Sequence, residues 1–453
     1  MYYKCIGLFG HYGTYNLGDE AIISAIIQSI KRIMSDEAEI IAFSINPKDT
    51  EIRHGVKAYP IRNIDFKIKI DTENFDQNIV NNANDETDKV EFISFNHCKN
   101  RLKKIAFLVN IVQIIRRISS LTLKICQEIT FILKSYGRLK DIDIFIVAGS
   151  GQLEDEWGGV MGFPYTIFKW ASLAKISKTK LVFLSVGAGP INHALSKLMI
   201  RLSLNYSQYA SFRDMTSAQW IKNIDAIYDP IVAPDLAHNL ITSEVIDNKK
   251  AKVDKSRHVV GINTMPILDK RYWFEADDYA YSHYIEKMAE ICIRLKKSNI
   301  KFFLFSTHPK DELVSKDVIT LLSSKFEWSD SELNNLIKKN RSVDQLLETI
   351  ATSDIVVATR FHAILLSYFS ETPVVGICKD HKQRDLMDAM GQKKYKIDFS
   401  EFTSEKVFNL ISSLLEHSNA EKKCIIAKNK EHEDSLNKQY SFLSKYIINN
   451  NIN

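Results

Sequence analysis

The chain predicts an α/β protein of two parallel-sheet lobes facing a cleft, with a basic helical insertion in the first lobe. Three observations carry this expectation. Short apolar β-forming runs alternate with amphipathic helical segments, the alternation restarts after a lysine-rich join, and glycine turns or charged groups follow the runs where strands should end.

In the first lobe, "KCIGLFG" reads as a buried strand, and "NLGDEAIISAIIQSIKRIM" as a helix with Asp19 and Glu20 in its first turn, where negative charge is favoured. "EIIAFSI" gives the next strand. "IDIFIVAGSG", a helix from Pro164 to Ser177, "KLVFLSVGAGPI", a helix from Ala194 to Asn205, "YASFRD" and "AIYDPIVAPD" continue the rhythm. It restarts after Asp247 to Arg257, with "HVVGINT", a helix from Tyr279 to Ser298, "IKFFLFSTH", "SDIVVATR" with the helix behind it, and "TPVVGIC". The expected division is a first lobe over 1–245, a second over 246–418, and a C-terminal helix over 419–453 that packs back toward the first lobe.

Residues 65–140 break the alternation. Residues 71–98 are acidic and polar and read as a loop, and the stretch after them reads as one or two long helices with a narrow polar stripe. From Lys99 to Lys140, ten basic residues stand against Glu128 alone, a local charge of +9 in a chain whose formal net charge is +5. Periodicity and charge leave two readings open: a helix packed on protein, or an interfacial segment that rests on anionic lipid.

With 453 residues, 45% hydrophobic and 25% charged, the composition is that of a globular protein. The small net charge does not argue for nucleic acid as a partner. The six cysteines, at 5, 98, 126, 292, 378 and 424, form no C-x-x-C pair, so free thiols in a reducing cytoplasm are expected and no metal site. The opening "MYYKCIGLFGHYG" reaches a glycine turn too early for a signal peptide, and no apolar run has the length of a membrane span. A cytoplasmic protein is expected, at the inner face of the membrane if the insertion binds lipid.

Parallel sheets bind ligands beyond the carboxyl ends of their strands. There the first lobe places "GHYGTYNLGDE", "GSGQLEDEWGG" and "GAGPI", and none of them matches a dinucleotide or P-loop fingerprint. In the second lobe "IVVATRFHA" ends a strand on Arg360 and opens a helix at Phe361 and His362. Arginine offers a planar fork for phosphate or carboxylate, and histidine exchanges a proton near neutral pH. Arg213, ending "YASFR", and Lys382, following "VVGICKDH", are two more basic groups that could surround a small anion. Asp235, in "APDLA", reads as an anchor of the lobe join.

In this order, "GHYGTYNLGDEAI", "GSGQLED", "SFRDMTSAQWI", "APDLA" and "ATRFHAILLSYFSETPVVGICKDHKQRDLMDAMG" resemble the polysaccharide pyruvyl transferase family over 1–55 and about 140–395. The family more often has three glycines where "GSG" stands and a β-branched residue before Arg213, and residues 65–140 lie outside its shared pattern. The resemblance implies two Rossmann-like lobes of the GT-B architecture. It implies transfer of the three-carbon unit of phosphoenolpyruvate to two hydroxyls of a saccharide or lipid-linked saccharide, giving a cyclic ketal and phosphate without cofactor or metal.

Carried over by position, Arg213, Arg360, His362 and the amide of Phe361 would hold the donor. Lys382 matches a family lysine. His362 would be the general acid, Asp19 or Asp155 the general base, and His11 and Asn16 in the first glycine turn would meet the acceptor. Two rival readings remain. A glycosyltransferase using a nucleotide sugar would need Asp380 or Asp385 for the ribose, and a non-catalytic sugar-binding assembly protein would not need the Arg213, Arg360 and His362 set.

Overall fold

The structure is a computed structural model, and it describes residues 4–34, 38–63, 122–241, 258–273, 276–325 and 328–448. The acidic stretch 71–98, the start of the basic stretch (99–121) and the lysine-rich join lie outside the described residues.

The first sheet comprises β1 (Lys4–Phe9), β2 (Ala38–Ser44), β3 (Lys57–Pro60), β4 (Ile144–Ala148), β5 (Gly151–Leu153), β6 (Lys180–Ala188), β7 (Tyr209–Phe212) and β8 (Ile231–Val232). They run in the order β3-β2-β1-β4-β6-β7-β8, with β5 beside β6. The second sheet comprises β9 (Val259–Asn263), β10 (Lys301–Phe305), β11 (Ile337–Lys338), β12 (Ile355–Ala358), β13 (Val374–Cys378) and β14 (Lys396–Asp398), in the order β11-β10-β9-β12-β13-β14. Every pairing is parallel, so all carboxyl ends of a sheet lie along one edge. This is the two-lobed α/β fold that the alternation predicts.

Helices cover both faces of the strands, which explains why central strands such as β4, β12 and β13 are apolar at every position and buried throughout. In the first sheet Phe145 stacks on Trp170 at 5.5 Å, Phe43 meets Trp170 at 5.0 Å, and the Trp170 indole donates to Ile61 O at 2.9 Å. The helix Ala194–Asn205 keeps its expected bounds.

The last helix runs from Ser404 to Phe442, beginning earlier than Asn419 because Thr403 caps it by accepting from Lys406 N at 3.2 Å. Its first residue donates to Glu290 in the second lobe at 2.7 Å. Near its end, Gln439 accepts from Ser211 Oγ of the first sheet at 2.6 Å and donates to Ser185 Oγ at 3.3 Å.

Residues 62–137 form a separate unit. Of the basic stretch, residues 122–137 of this unit are described and helical, and on them Leu123, Ile125, Ile129 and Leu133 are exposed beside Lys124 and Lys134. No helix among the described residues is long and apolar enough to cross a membrane.

Candidate active site

The carboxyl edges of the two sheets meet through a few bonds that cross from lobe to lobe. The first glycine turn, after β1, abuts the turn after β10: Leu17 N donates to Thr307 O at 3.0 Å, and His308 bonds the backbone of Thr14. Burial pulls the His308 imidazole down to about 3, with Arg360 and Lys310 adding to the effect, and its Nδ1 accepts from Lys310 N at 3.0 Å. The ring is therefore neutral and serves as a fixed link. At the other end Lys382 Nζ reaches Glu154 Oε2, in the loop after β5, at 3.1 Å.

Arg213 leaves β7 and is 7% exposed. Its Nε lies 3.3 Å from Asp214 Oδ2, its Nη1 3.5 Å from Asp235 Oδ2, and its guanidinium 4.3 Å from the centre of the Phe361 ring. Burial disfavours its charge, but Asp214 and Asp235 outweigh burial and raise its pKa. Gly187 makes the room, since a Cβ there would stand 2.8 Å from Nη2.

Arg360, at the N-cap of the helix Phe361–Phe369, is held from behind. Its Nε donates to Asp311 Oδ1 at 2.7 Å, with Nη2 2.6 Å from the same oxygen, and its backbone N donates to Asn263 Oδ1 at 3.2 Å. Asp311 is itself fixed by Thr307 N at 3.0 Å, Thr307 Oγ1 at 3.1 Å and His308 N at 3.0 Å. Burial opposes the Arg360 charge, and Asp311 more than offsets it.

His362 packs its ring on Gly18, where a Cβ would come within 2.0 Å of Cγ and Nδ1. Its Nε2 stands 4.0 Å from Asp235 Oδ2. Burial lowers its pKa below the usual imidazole value; Asp235 and Asp19 pull upward, Arg213 and Arg360 downward. The N-terminus of the helix Leu17–Met34, which begins beside Gly18, also disfavours an imidazolium. His362 Nε2, Arg213 Nη2 and Asp235 Oδ2 are all buried without a hydrogen-bond partner. Three such atoms from two lobes have the form of a site awaiting a polar ligand.

Asp19 is also buried, 3.2 Å from His11 Nδ1 through Oδ2, which accepts from Asn16 Nδ2 at 2.7 Å. Burial alone would push its carboxyl up, but hydrogen bonds from His11 and Ser150 help to hold it below the usual range. Asp155 is engaged elsewhere: its oxygens accept from Asn192 N at 3.0 Å and His193 N at 2.8 Å, bracing the turn before the helix Ala194–Asn205. Asp235 was expected to anchor the lobe join. It does accept from Ala237 N at 3.0 Å, but its second oxygen faces Arg213 and His362. The other groups that sequence reasoning missed are Glu154 and Asp311, whose charged partners, Lys382 and Arg360, come from distant segments.

A cavity of about 390 Å³ is lined in part by Arg213, Asp235, His238, Phe361, Lys382 and His432, with apolar walls from Met215, Val232 and Leu386. Arg360 and His362 are not among its lining residues. Among the described residues, no group of three or more His, Cys, Asp or Glu side chains is placed to hold a metal ion.

Among solved structures, the chain is similar to UDP-GlcNAc 2-epimerase from Neisseria meningitidis bound to UDP-GlcNAc, with 13% identity and a TM-score of 0.57, covering 99% of this chain and 100% of that one. It is also similar to HepE from Anabaena in complex with UDP and glucose, with 12% identity and a TM-score of 0.54, covering 97% and 99%. At such identities the likeness bears on the fold alone, and it agrees with two Rossmann-like lobes of GT-B type. No curated protein gives a significant match. The family model for polysaccharide pyruvyl transferase matches residues 16–377, a span that holds Arg213, Asp235, Arg360 and His362, and the chain belongs to that family.

Proposed function

We propose that this protein transfers the three-carbon unit of phosphoenolpyruvate to two hydroxyls of a saccharide or lipid-linked saccharide, forming a cyclic ketal and releasing phosphate. The observation that carries the reading is the meeting of Arg213 and His362 around Asp235, with an unpartnered polar atom on each. A donor with both a phosphate and a carboxylate suits two guanidinium forks, Arg213 and Arg360. Lys382 and the Phe361 amide complete this side. The nucleotide-sugar reading is kept as the rival because similar folds have been solved with UDP.

In the proposed sequence, the imidazolium of His362 gives its proton to the methylene carbon of the donor, and C2 becomes an oxocarbenium-like centre. A sugar hydroxyl adds to C2 and loses its proton to His11, which Asp19 orients and Asn16 steadies. The C2–O bond to phosphate then breaks as His11 returns that proton to the leaving oxygen, the arginines stabilise the departing hydrogen phosphate dianion, and a second hydroxyl closes the ketal. The proton released by that second hydroxyl restores His362. Asp155 takes no part, because both its oxygens are committed to backbone amides. Burial lowers the His362 pKa, and an anionic donor beside the ring would favour its protonated form.

Thermal stabilisation by phosphoenolpyruvate and by UDP-sugars tests the reading on wild type, Arg213→Lys and His362→Gln. Phosphoenolpyruvate should raise the melting temperature of wild type and do so less for Arg213→Lys. A shift with UDP-sugars alone would overturn the assignment in favour of the rival.

Peripheral contact with anionic lipid through 99–140 belongs to the same proposal, supported by the exposed Leu123, Ile125, Ile129 and Leu133 beside lysines. It would hold the enzyme at the inner face of the membrane. Co-sedimentation with anionic vesicles at low salt checks it, and protein left in the supernatant would refute it.

A further inference from the structure

Beside the Lys382–Glu154 pair, the mouth of the cleft carries an aromatic group to which the reaction above gives no role. Trp157, in the loop after β5, meets Trp273 of the second lobe with ring centres 4.9 Å apart and Tyr272 at 6.3 Å. Trp157 remains 44% exposed, although a side chain of its size is normally covered when it has no partner to meet. Both segments are built to present these rings. Gly158 and Gly159 follow Trp157 at φ of 83° and 58°, a turn that residues with a Cβ rarely make.

Across the cleft, Leu268 takes a left-handed φ of 57°, a strained conformation for a leucine. The buried Asp269 then fixes the loop. Its carbonyl accepts from Tyr272 N at 2.9 Å and Trp273 N at 2.8 Å, and its carboxylate holds Arg271 through Nε at 3.0 Å and Nη2 at 2.7 Å. Arg271 Nη2 is tied in turn to Asp317, 2.5 Å away, and the Trp273 indole donates to Pro266 O. Such a frame holds the rings still before any ligand arrives.

Two lysines flank the rings. Lys310 Nζ lies 4.2 Å from the centre of the Tyr272 ring, and Lys379 Nζ 4.0 Å from that of Trp273. Glu156 and Asp380 lie nearby, yet among the described residues neither lysine forms an ion pair. The exposed Trp157 ring suits the C–H face of a sugar ring, the half-buried Tyr272 and Trp273 rings stand against it, and the two ammonium groups beside them suit carboxylate or phosphate substituents.

We infer that Trp157, Tyr272 and Trp273 form the platform on which the acceptor's saccharide chain lies, and that Lys310 and Lys379 select an acidic chain. The inference rests on the pyruvyl transfer reading for the identity of the acceptor. The platform adjoins the donor site: Lys379 is three residues before Lys382, Trp157 three after Glu154, and Tyr272 lies 6.5 Å from His308, ring centre to ring centre.

Tryptophan fluorescence of the full chain, titrated with a uronate-containing tetrasaccharide and with neutral cellotetraose, tests it. The acidic probe should quench wild type, bind at least tenfold more weakly to Trp157→Ala and to the double variant Lys310→Ala, Lys379→Ala, and bind within a few-fold of wild type to Trp157→Phe. Phosphoenolpyruvate-induced stabilisation should be unchanged in all three. No quenching by the acidic probe, equal affinity for cellotetraose, or undiminished affinity in Trp157→Ala would overturn the platform while leaving the donor reading intact. Saccharide binding as expected, without any response to phosphoenolpyruvate, would sink the donor reading and leave the platform standing.

Discussion

Asp235 Oδ2 lies 4.0 Å from His362 Nε2, and neither atom has a hydrogen-bond partner. The carboxylate stands close enough to favour the imidazolium without fixing the ring, in a site where burial lowers the ring's pKa. Asp235→Asn removes that support while keeping the shape. We expect the rate of phosphoenolpyruvate-dependent phosphate release to fall and its basic limb to move to lower pH. An unchanged pH profile would show that Asp235 does not act on His362.

Gly18→Ala puts a methyl group where the His362 ring sits, 2.0 Å from its nearest atoms. Alanine gains about 1 kcal/mol over glycine inside a helix, and overpacking costs about 1–3 kcal/mol. The clash should win. The variant is expected to melt lower than wild type and to lose most of its response to phosphoenolpyruvate, and a wild-type response would mean that the ring has freedom to turn aside.

Lys382 and Glu154 separate two roles in one pair. Lys382→Met leaves Glu154, 5% exposed, without its ammonium, and should destabilise by about 1–3 kcal/mol. Adding Glu154→Gln should restore much of that stability. If Lys382 also touches the donor, the double variant will recover its melting temperature but not its affinity for phosphoenolpyruvate, whereas recovery of both would leave Lys382 a purely structural part.

Acid should loosen the protein through histidines held neutral. His308, pulled to about 3, and His238, His362 and His432, each depressed first by burial, bind fewer protons folded than unfolded. Their contribution is present above the unfolded value of about 6.5 and is lost as pH falls below it, by up to about 1.4 kcal/mol per pH unit for each group until its folded pKa is reached. The melting temperature should therefore drop between pH 7 and pH 5, and drop less in His308→Asn. Equal slopes for the two proteins would contradict this.

The central strands were readable because parallel strands covered on both faces are apolar at every position, as in "IFIVA" and "VVGIC". The edge strands β3, β11 and β14 were not, since two to four residues, most of them half-exposed or exposed, make no apolar run to recognise. Arg213, Arg360 and His362 stood out because their place at a strand end is a matter of position along the chain. The facing groups did not. Asp235 looked like a join residue because its contacts with Arg213 and His362 depend on segments 22 and 127 residues away (235 less 213, and 362 less 235). The start of the last helix, by contrast, was marked in "TSEK" by Thr403, a capping signal that sequence reading passed over.

The long helix Ser404–Phe442 starts on Glu290 of the second lobe and is bonded through Gln439 to Ser185 and Ser211 of the first. Neither sheet can therefore lose its packing without disturbing an element the other relies on. Calorimetry should record a single melting event for the two lobes, and a chain cut within that helix should melt in two.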